Sequence, residues 1–117
     1  MYIYKAVIKR ITDGDTIVVD IDLGFETVIN NVKLRLYGIN TPETKGASRV
    51  AGLESKAFVE RQLPVGSIVL LKTYKDKTEK YGRYLAEVTK EGETDTINMT
   101  LLRLGLATEY YGEGVKN

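Results

Sequence analysis

Apolar and polar residues alternate along most of the first forty positions, the period of two expected of strands with one face in a core. Residues 2–11, YIYKAVIKRI, predict a strand, and DGDT at 13–16 predicts a turn. In TIVVDIDL (16–23), Ile17, Val19, Ile21 and Leu23 share one face, as in a half-buried strand. Gly24 predicts a tight reversal into FETVIN (25–30), making a hairpin. A further strand runs from about Val32 to Ile39, with Val32, Leu34 and Leu36 on one face and Lys33, Arg35 and Tyr37 on the other.

The pattern changes after Pro42. Val50, Leu53, Ala57 and Phe58 fall at helical spacing, and Pro64 with Gly66 ends that helix. SIVLLKTYK (67–75) predicts a strand with a continuous apolar centre, and another runs from Arg83 to about Thr89. After a turn at EGE (91–93), TINMTLLRLGL (96–106) reads as a short helix. Ile97, Leu101 and Leu102 form its apolar stripe, and Gly105 suits the left-handed residue after its end. The order is three strands, a helix, two strands and a short helix. A mainly-β chain with helices (α+β) follows: five short antiparallel strands in a Greek-key OB-type barrel, with one inserted helix and a short C-terminal helix. An SH3-like barrel is the alternative, and residues 1–117 are expected to form one domain.

Composition narrows the chemistry mainly through absences. The chain has no Cys, which excludes thiol nucleophiles, disulfides and thiolate zinc sites. It has no His, the usual general base near neutral pH and the commonest metal ligand. Catalysis would therefore rest on carboxylates, Arg, Lys, Tyr, or a hard cation such as calcium or magnesium held by oxygen. A net charge of +1 is too small to attract nucleic acid by overall field, so such a partner needs a local basic patch. No apolar run approaches the roughly 18–20 residues that cross a membrane. The N-terminus lacks the apolar stretch and cleavage site of a signal peptide. A cytoplasmic location is the expectation for the chain as it stands, with secretion of a processed form left open.

Three segments hold charged or rigid residues that core packing does not require. Asp13-Gly14-Asp15-Thr16 is either an ordinary β-turn or a turn presenting an aspartate to a divalent cation, with Asp15 the better placed. In LRLYGINTPE (34–43), Pro42 makes a rigid corner and biases Thr41 away from helix. Thr41 could equally cap a helix, with Pro42 at its first position and Glu43 complementing the dipole. Between Lys72 and Arg83 five basic residues (Lys72, Lys75, Lys77, Lys80, Arg83) face two acids (Asp76, Glu79), a local net of +3. Tyr74, Tyr81 and Tyr84 interleave with them, so this is a solvated charged loop or a surface for bases and sugars. In combination the segments suit phosphodiester chemistry. An arginine fork matches two phosphate oxygens, a cation neutralises the same group, and a carboxylate can deprotonate a water for in-line attack.

At these segments the chain resembles the staphylococcal nuclease (thermonuclease-like) family. DGDT, R-L-x-x-x-x-TPE and DK-x-x-KYGR-x-LA occur in the family's order and with similar spacing, and INMTLLRLGLATEYY resembles its later stretch. The resemblance spans roughly residues 5–111. It implies an OB-fold and a calcium-dependent nuclease cutting DNA and RNA without strong sequence preference. Carried over by position, Asp15 and Asn40 are implied metal ligands, and Thr41 lends a backbone carbonyl. Arg35 and Arg83 are the implied phosphate-gripping pair, and Glu43 the carboxylate acting on water. Lys80, Tyr81 and Tyr111 match positions lining the nucleotide pocket.

Three departures stand out. Asn40 replaces the family's second metal-binding aspartate, so weaker metal binding is expected from the lower ligand charge. The chain stops at Asn117 without the family's long C-terminal helix, so either exposed apolar surface or a compensating contact, of which a dimer is one form, is expected on that side of the barrel. KGASRVAG (45–52) is shorter than the family's loop there. The leading expectation is a metal-dependent nuclease. Its rival is a nucleic-acid-binding barrel with weakened catalysis, and a protein-interaction domain ranks third because it leaves Arg35, Glu43 and Arg83 unexplained together.

Overall fold

A computed structural model describes residues 2–78 and 82–111, the side chains of 75–78 excepted. Five strands close a barrel in the order β1 (Tyr2–Asp13), β2 (Thr16–Gly24), β3 (Thr27–Leu36), β6 (Tyr84–Lys90) and β5 (Ile68–Thr78). A two-residue sheet pairs β4 (Ile39–Asn40) with β7 (Thr108–Glu109). One helical turn at Gly46–Ser48 leads into α1 (Arg49–Gln62), and α2 (Ile97–Arg103) follows β6. The barrel is of the OB type, as expected, but one pairing is not antiparallel. β3 and β6 run parallel, with Leu34 opposite Tyr84 and Leu36 opposite Ala86, because the chain crosses over through α1 and β5 before closing the barrel.

The return arm of the hairpin and the strand expected after it are one strand, β3. Its irregularity falls at Asn31, which adopts φ +59° and donates its backbone N–H to Asp20 Oδ1 at 2.8 Å. Such a bulge bends a strand without ending its pairing. The alternation places Ile17, Val19, Ile21, Leu34 and Leu36 in the core with Ile8, Val69, Leu71, Ala86 and Val88. Leu23, read as a fourth inward residue of β2, is exposed.

The helix stripe needs a larger correction. Val50 is 77% exposed and Leu53 is exposed, while α1 turns Gly52, Ser55 and Val59 inward and Leu63 follows them. For Val50 and Leu53 the apolar spacing pointed to solvent because the start of α1 packs against backbone, where only small residues fit, while Phe58 packs against the core as expected. In α2, Thr96 caps the helix by accepting from the Met99 N–H at 3.0 Å, and Ile97 and Leu101 are buried. Gly105 has φ +74° and donates to Leu102 O at 3.1 Å, the expected left-handed exit. No helix among the described residues is long and apolar enough to cross a membrane.

Candidate active site

Asp15 stands between β1 and β2 and is 9% exposed. A carboxylate so placed needs partners, and it finds them on neighbouring strands and turns. Its Oδ2 accepts from the Thr41 N–H at 3.1 Å and from Arg35 Nη2 at 3.5 Å, and its Oδ1 accepts from the Thr16 hydroxyl at 3.2 Å. Its backbone carbonyl accepts from the Leu36 N–H at 2.8 Å. The turn is thereby tied to both ends of the LRLYGINTPE segment.

Arg35 projects from the outer face of β3 yet is only 8% exposed. Its guanidinium donates to Ile39 O at 3.0 Å through Nη1 and to Asn40 Oδ1 at 2.7 Å through Nη2, besides Asp15. The Tyr110 ring lies against it, 5.1 Å from the guanidinium carbon. Tyr110 is itself held by its N–H, which donates to Gly38 O at 2.9 Å. Arg83, just before β6, donates from Nη1 to the Thr16 hydroxyl at 2.9 Å. Both arginines therefore reach the same carboxylate, Arg35 directly and Arg83 through Thr16.

The corner at Thr41-Pro42-Glu43 does not cap a helix. Helical turns begin only at Gly46, and Thr41 is buried with its N–H on Asp15. The turn between β1 and β2 grips the corner at a second point, where the Thr44 hydroxyl donates to Asp13 Oδ1 at 3.4 Å. Two glycines let chain segments approach closely. A Cβ on Gly14 would stand 3.0 Å from the Thr41 side chain and from Ser55 Cβ. A Cβ on Gly52 would stand 2.1 Å from Glu43 O and 2.8 Å from Pro42 O. Glu43 leaves this clamp exposed to solvent, and its carboxylate has no hydrogen-bond donor among the described residues.

A tyrosine cluster borders the site. Tyr37 stacks on Tyr74 at 4.1 Å between centroids, and Tyr111 meets Tyr37 edge-on at 5.7 Å. Tyr111 also lies against Gly38 and is 40% exposed. The Tyr74 hydroxyl donates to Glu87 Oε2 at 2.7 Å. Burial first, and then this carboxylate, raise the Tyr74 phenol well above its ordinary range.

Of the residues singled out in the sequence, Asp15, Arg35, Asn40, Thr41 and Arg83 thus share one hydrogen-bonded network. Glu43 sits at its solvent edge and Tyr111 in the adjoining aromatic cluster, whereas Lys80 and Tyr81 lie outside the described residues. Sequence reasoning missed Thr16 as the link to Arg83, Tyr110 on Arg35, and Gly14, Gly52 and Ser55 as packing residues. It also missed Asn98. This buried side chain accepts from the Val88 N–H at 3.1 Å and donates to Tyr37 O at 2.9 Å and Ala86 O at 3.2 Å, joining α2 to the strand ends beside the site. A polar Asn beside Ile97 in an apolar stripe was the available signal.

The family model for staphylococcal nuclease homologues matches residues 33–117. The chain is 36% identical to the thermonuclease of Staphylococcus intermedius over 103 residues, which cover 86% of this chain and 56% of that protein. It is also 36% identical to the thermonuclease of Staphylococcus hyicus over 107 residues, 89% of this chain and 57% of that one. Endonuclease YhcR of Bacillus subtilis (strain 168) is 24% identical over 116 residues, which cover 92% of this chain and 9% of that protein. The chain thus spans little more than half the length of either thermonuclease.

Proposed function

The chain belongs to the staphylococcal nuclease family, and we propose that it is a nuclease domain hydrolysing phosphodiester bonds of DNA and RNA. The observation that carries this reading is the single network that joins Asp15, Arg35, Thr16 and Arg83 beside an exposed Glu43. Two guanidinium groups so held can meet the nonbridging oxygens of one phosphate and stabilise the charge that grows on them during attack. Glu43 accepts the proton of the attacking water, which requires a carboxylate in reach of solvent. The buried Asp15 holds Arg35 and the Thr41 corner and so fixes the geometry between these groups.

The donor set fits a hard cation, because only oxygen is on offer: the Asp15 carboxylate, the Thr41 carbonyl and the Asn40 amide. No three carboxylates gather among the described residues, and the Asn40 oxygen already accepts from Arg35. The fit is therefore to a weakly held, largely hydrated calcium, or magnesium. When bound, the cation would neutralise part of the phosphate charge. The test is a calcium titration of single-stranded DNA cleavage with chelator as control. A folded protein that cuts at no calcium or magnesium concentration rules out the nuclease. The same low ligand charge favours a second reading, a nucleic-acid-binding module, for which binding survives chelator and weakens with salt.

A further inference from the structure

A concavity of about 390 Å³ opens beside Arg83, lined by Thr12, Thr16, Lys33 and Arg83. Arg35, Asn40, Glu43 and Tyr111 do not line it, so it adjoins the candidate site through Thr16 and Arg83 and extends away from it to Thr12 and Lys33. Among the described residues its lining is two hydroxyls and two cations, with no carboxylate. Lys33 and Arg83 precede the first β3–β6 pair, Leu34 and Tyr84, by one residue each, which places them side by side at the start of the parallel contact. Arg10 lies farther along the same face, since Arg10 and Lys33 both pair with Val18, from opposite sides. The nearby acid on β2, Asp20, is taken by Lys9 at 3.6 Å and by the Asn31 N–H. Lys33 itself makes no hydrogen bond or ion pair among the described residues.

Lys33 and Arg35 stand two residues apart on one face of β3, about 6.6 Å along the strand. That distance is comparable to the step between neighbouring phosphates of an extended polynucleotide. We propose that the Thr12, Thr16 and Lys33 concavity binds the phosphate next to the one that is cut, with Arg83 at the boundary between the two. Lys33 supplies the charge and the exposed Thr12 hydroxyl donates to a phosphate oxygen, while Thr16, whose own proton goes to Asp15, holds Arg83 at the rim. The site recognises a polyanionic chain and has no hold on a substrate with a single phosphate. This inference rests on the nuclease reading for its substrate, but not for its measurement.

Lys33→Gln and Thr12→Val are the variants, both on exposed side chains. Cleavage of octathymidylate and of a dithymidine monophosphate is measured in calcium, and binding of labelled octathymidylate is measured in chelator across a salt series. In Lys33→Gln the octamer KM rises about threefold to tenfold with kcat unchanged, as for one lost surface contact to phosphate. KM and kcat for the dinucleotide stay as they were. The salt slope of octamer binding falls by about 0.7, the value for one phosphate contact on a single strand. Thr12→Val shifts octamer KM in the same direction by less. An equal change for both substrates, or no change in octamer KM and salt slope, overturns the subsite while leaving the nuclease reading intact. An unsubstituted protein that neither binds nor cuts the octamer overturns both. If it binds without cutting, the salt slope alone decides the subsite.

Discussion

Gly52 lies so close to Glu43 that a Cβ built on it would stand 2.1 Å from the Glu43 carbonyl oxygen and 2.5 Å from the carbonyl carbon. Inside a helix, replacing Gly by Ala normally stabilises by about 1 kcal/mol. Here the added methyl meets backbone that no rotamer change can move aside. The corner or the helix must shift, at a cost of about 1–3 kcal/mol for overpacking. Gly52→Ala should therefore lower the melting temperature and, by displacing Glu43, reduce cleavage more than it reduces DNA binding. A variant as stable and as active as the parent would mean that α1 does not hold the corner.

Asn40 Oδ1 accepts from Arg35 Nη2 at 2.7 Å while the residue stays exposed, so its substitution tests two roles at once. Asn40→Asp adds a carboxylate beside Asp15 and should tighten calcium binding on the order of tenfold. The direction follows from ligand charge, since the oxygen and its position are kept. Calorimetric titration of calcium checks it without reference to activity. An unchanged affinity would assign residue 40 to Arg35 alone and remove it from the cation site.

The grouping of the candidate residues was more legible in the sequence than their supports were. Asp15, Arg35, Thr41 and Arg83 sit in short motifs whose residue types announce phosphate chemistry, and the structure brings all four together. The supports are small or polar residues whose meaning depends on what is packed against them. Gly52 and Ser55 interrupt the apolar stripe of α1, and hydrophobic spacing therefore turned the helix to Val50 and Leu53. The Ser55 hydroxyl instead donates to Leu106 O at 2.7 Å, a contact across 51 residues that no local pattern contains. The parallel β3–β6 closure escaped for the same reason, because period-two alternation says which face is buried and nothing about strand direction.

Thr16 is 2% exposed and carries both bonds that connect Arg83 to Asp15. Valine there keeps the shape and β-propensity but removes the hydroxyl. Leaving buried polar partners without this link costs about 1–3 kcal/mol. Thr16→Val should lower stability by that order and reduce kcat, because Arg83 loses its link to Asp15, whereas Thr16→Ser should recover most of both. Chemical denaturation and steady-state cleavage give the two readouts. Serine failing to restore kcat would show that packing of the Thr16 methyl, not the hydroxyl link, sets the position of Arg83.

The Tyr74 phenol is raised above its ordinary value of 10.0 by burial and by Glu87. In the unfolded chain it titrates near that ordinary value. The folded state therefore holds its proton more tightly, and the associated stability is present in full below about pH 10 and lost as pH rises beyond it. Tyr74→Phe removes this dependence together with the hydrogen bond. Its melting temperature should lie below that of the parent at pH 8, with the gap closing as pH rises past 10. Parallel melting curves across that range would mean that Tyr74 titrates alike in both states.

Glu43 offers the sharpest separation of chemistry from folding. Its carboxylate is exposed, so Glu43→Gln should change stability by no more than about 0.5 kcal/mol, as for other surface substitutions. The amide keeps the shape and can still orient a water, but it cannot take the proton. A positioned general base contributes roughly 10²–10⁴ in rate, and kcat should fall by that order with KM little changed. Arg83→Ala differs in kind, because it removes the proposed phosphate contact as well as the bond to Thr16. It should weaken octathymidylate binding in chelator, which Glu43→Gln leaves intact or improves by removing a negative charge. Full activity in Glu43→Gln would exclude this carboxylate as the base, whatever Arg83→Ala does.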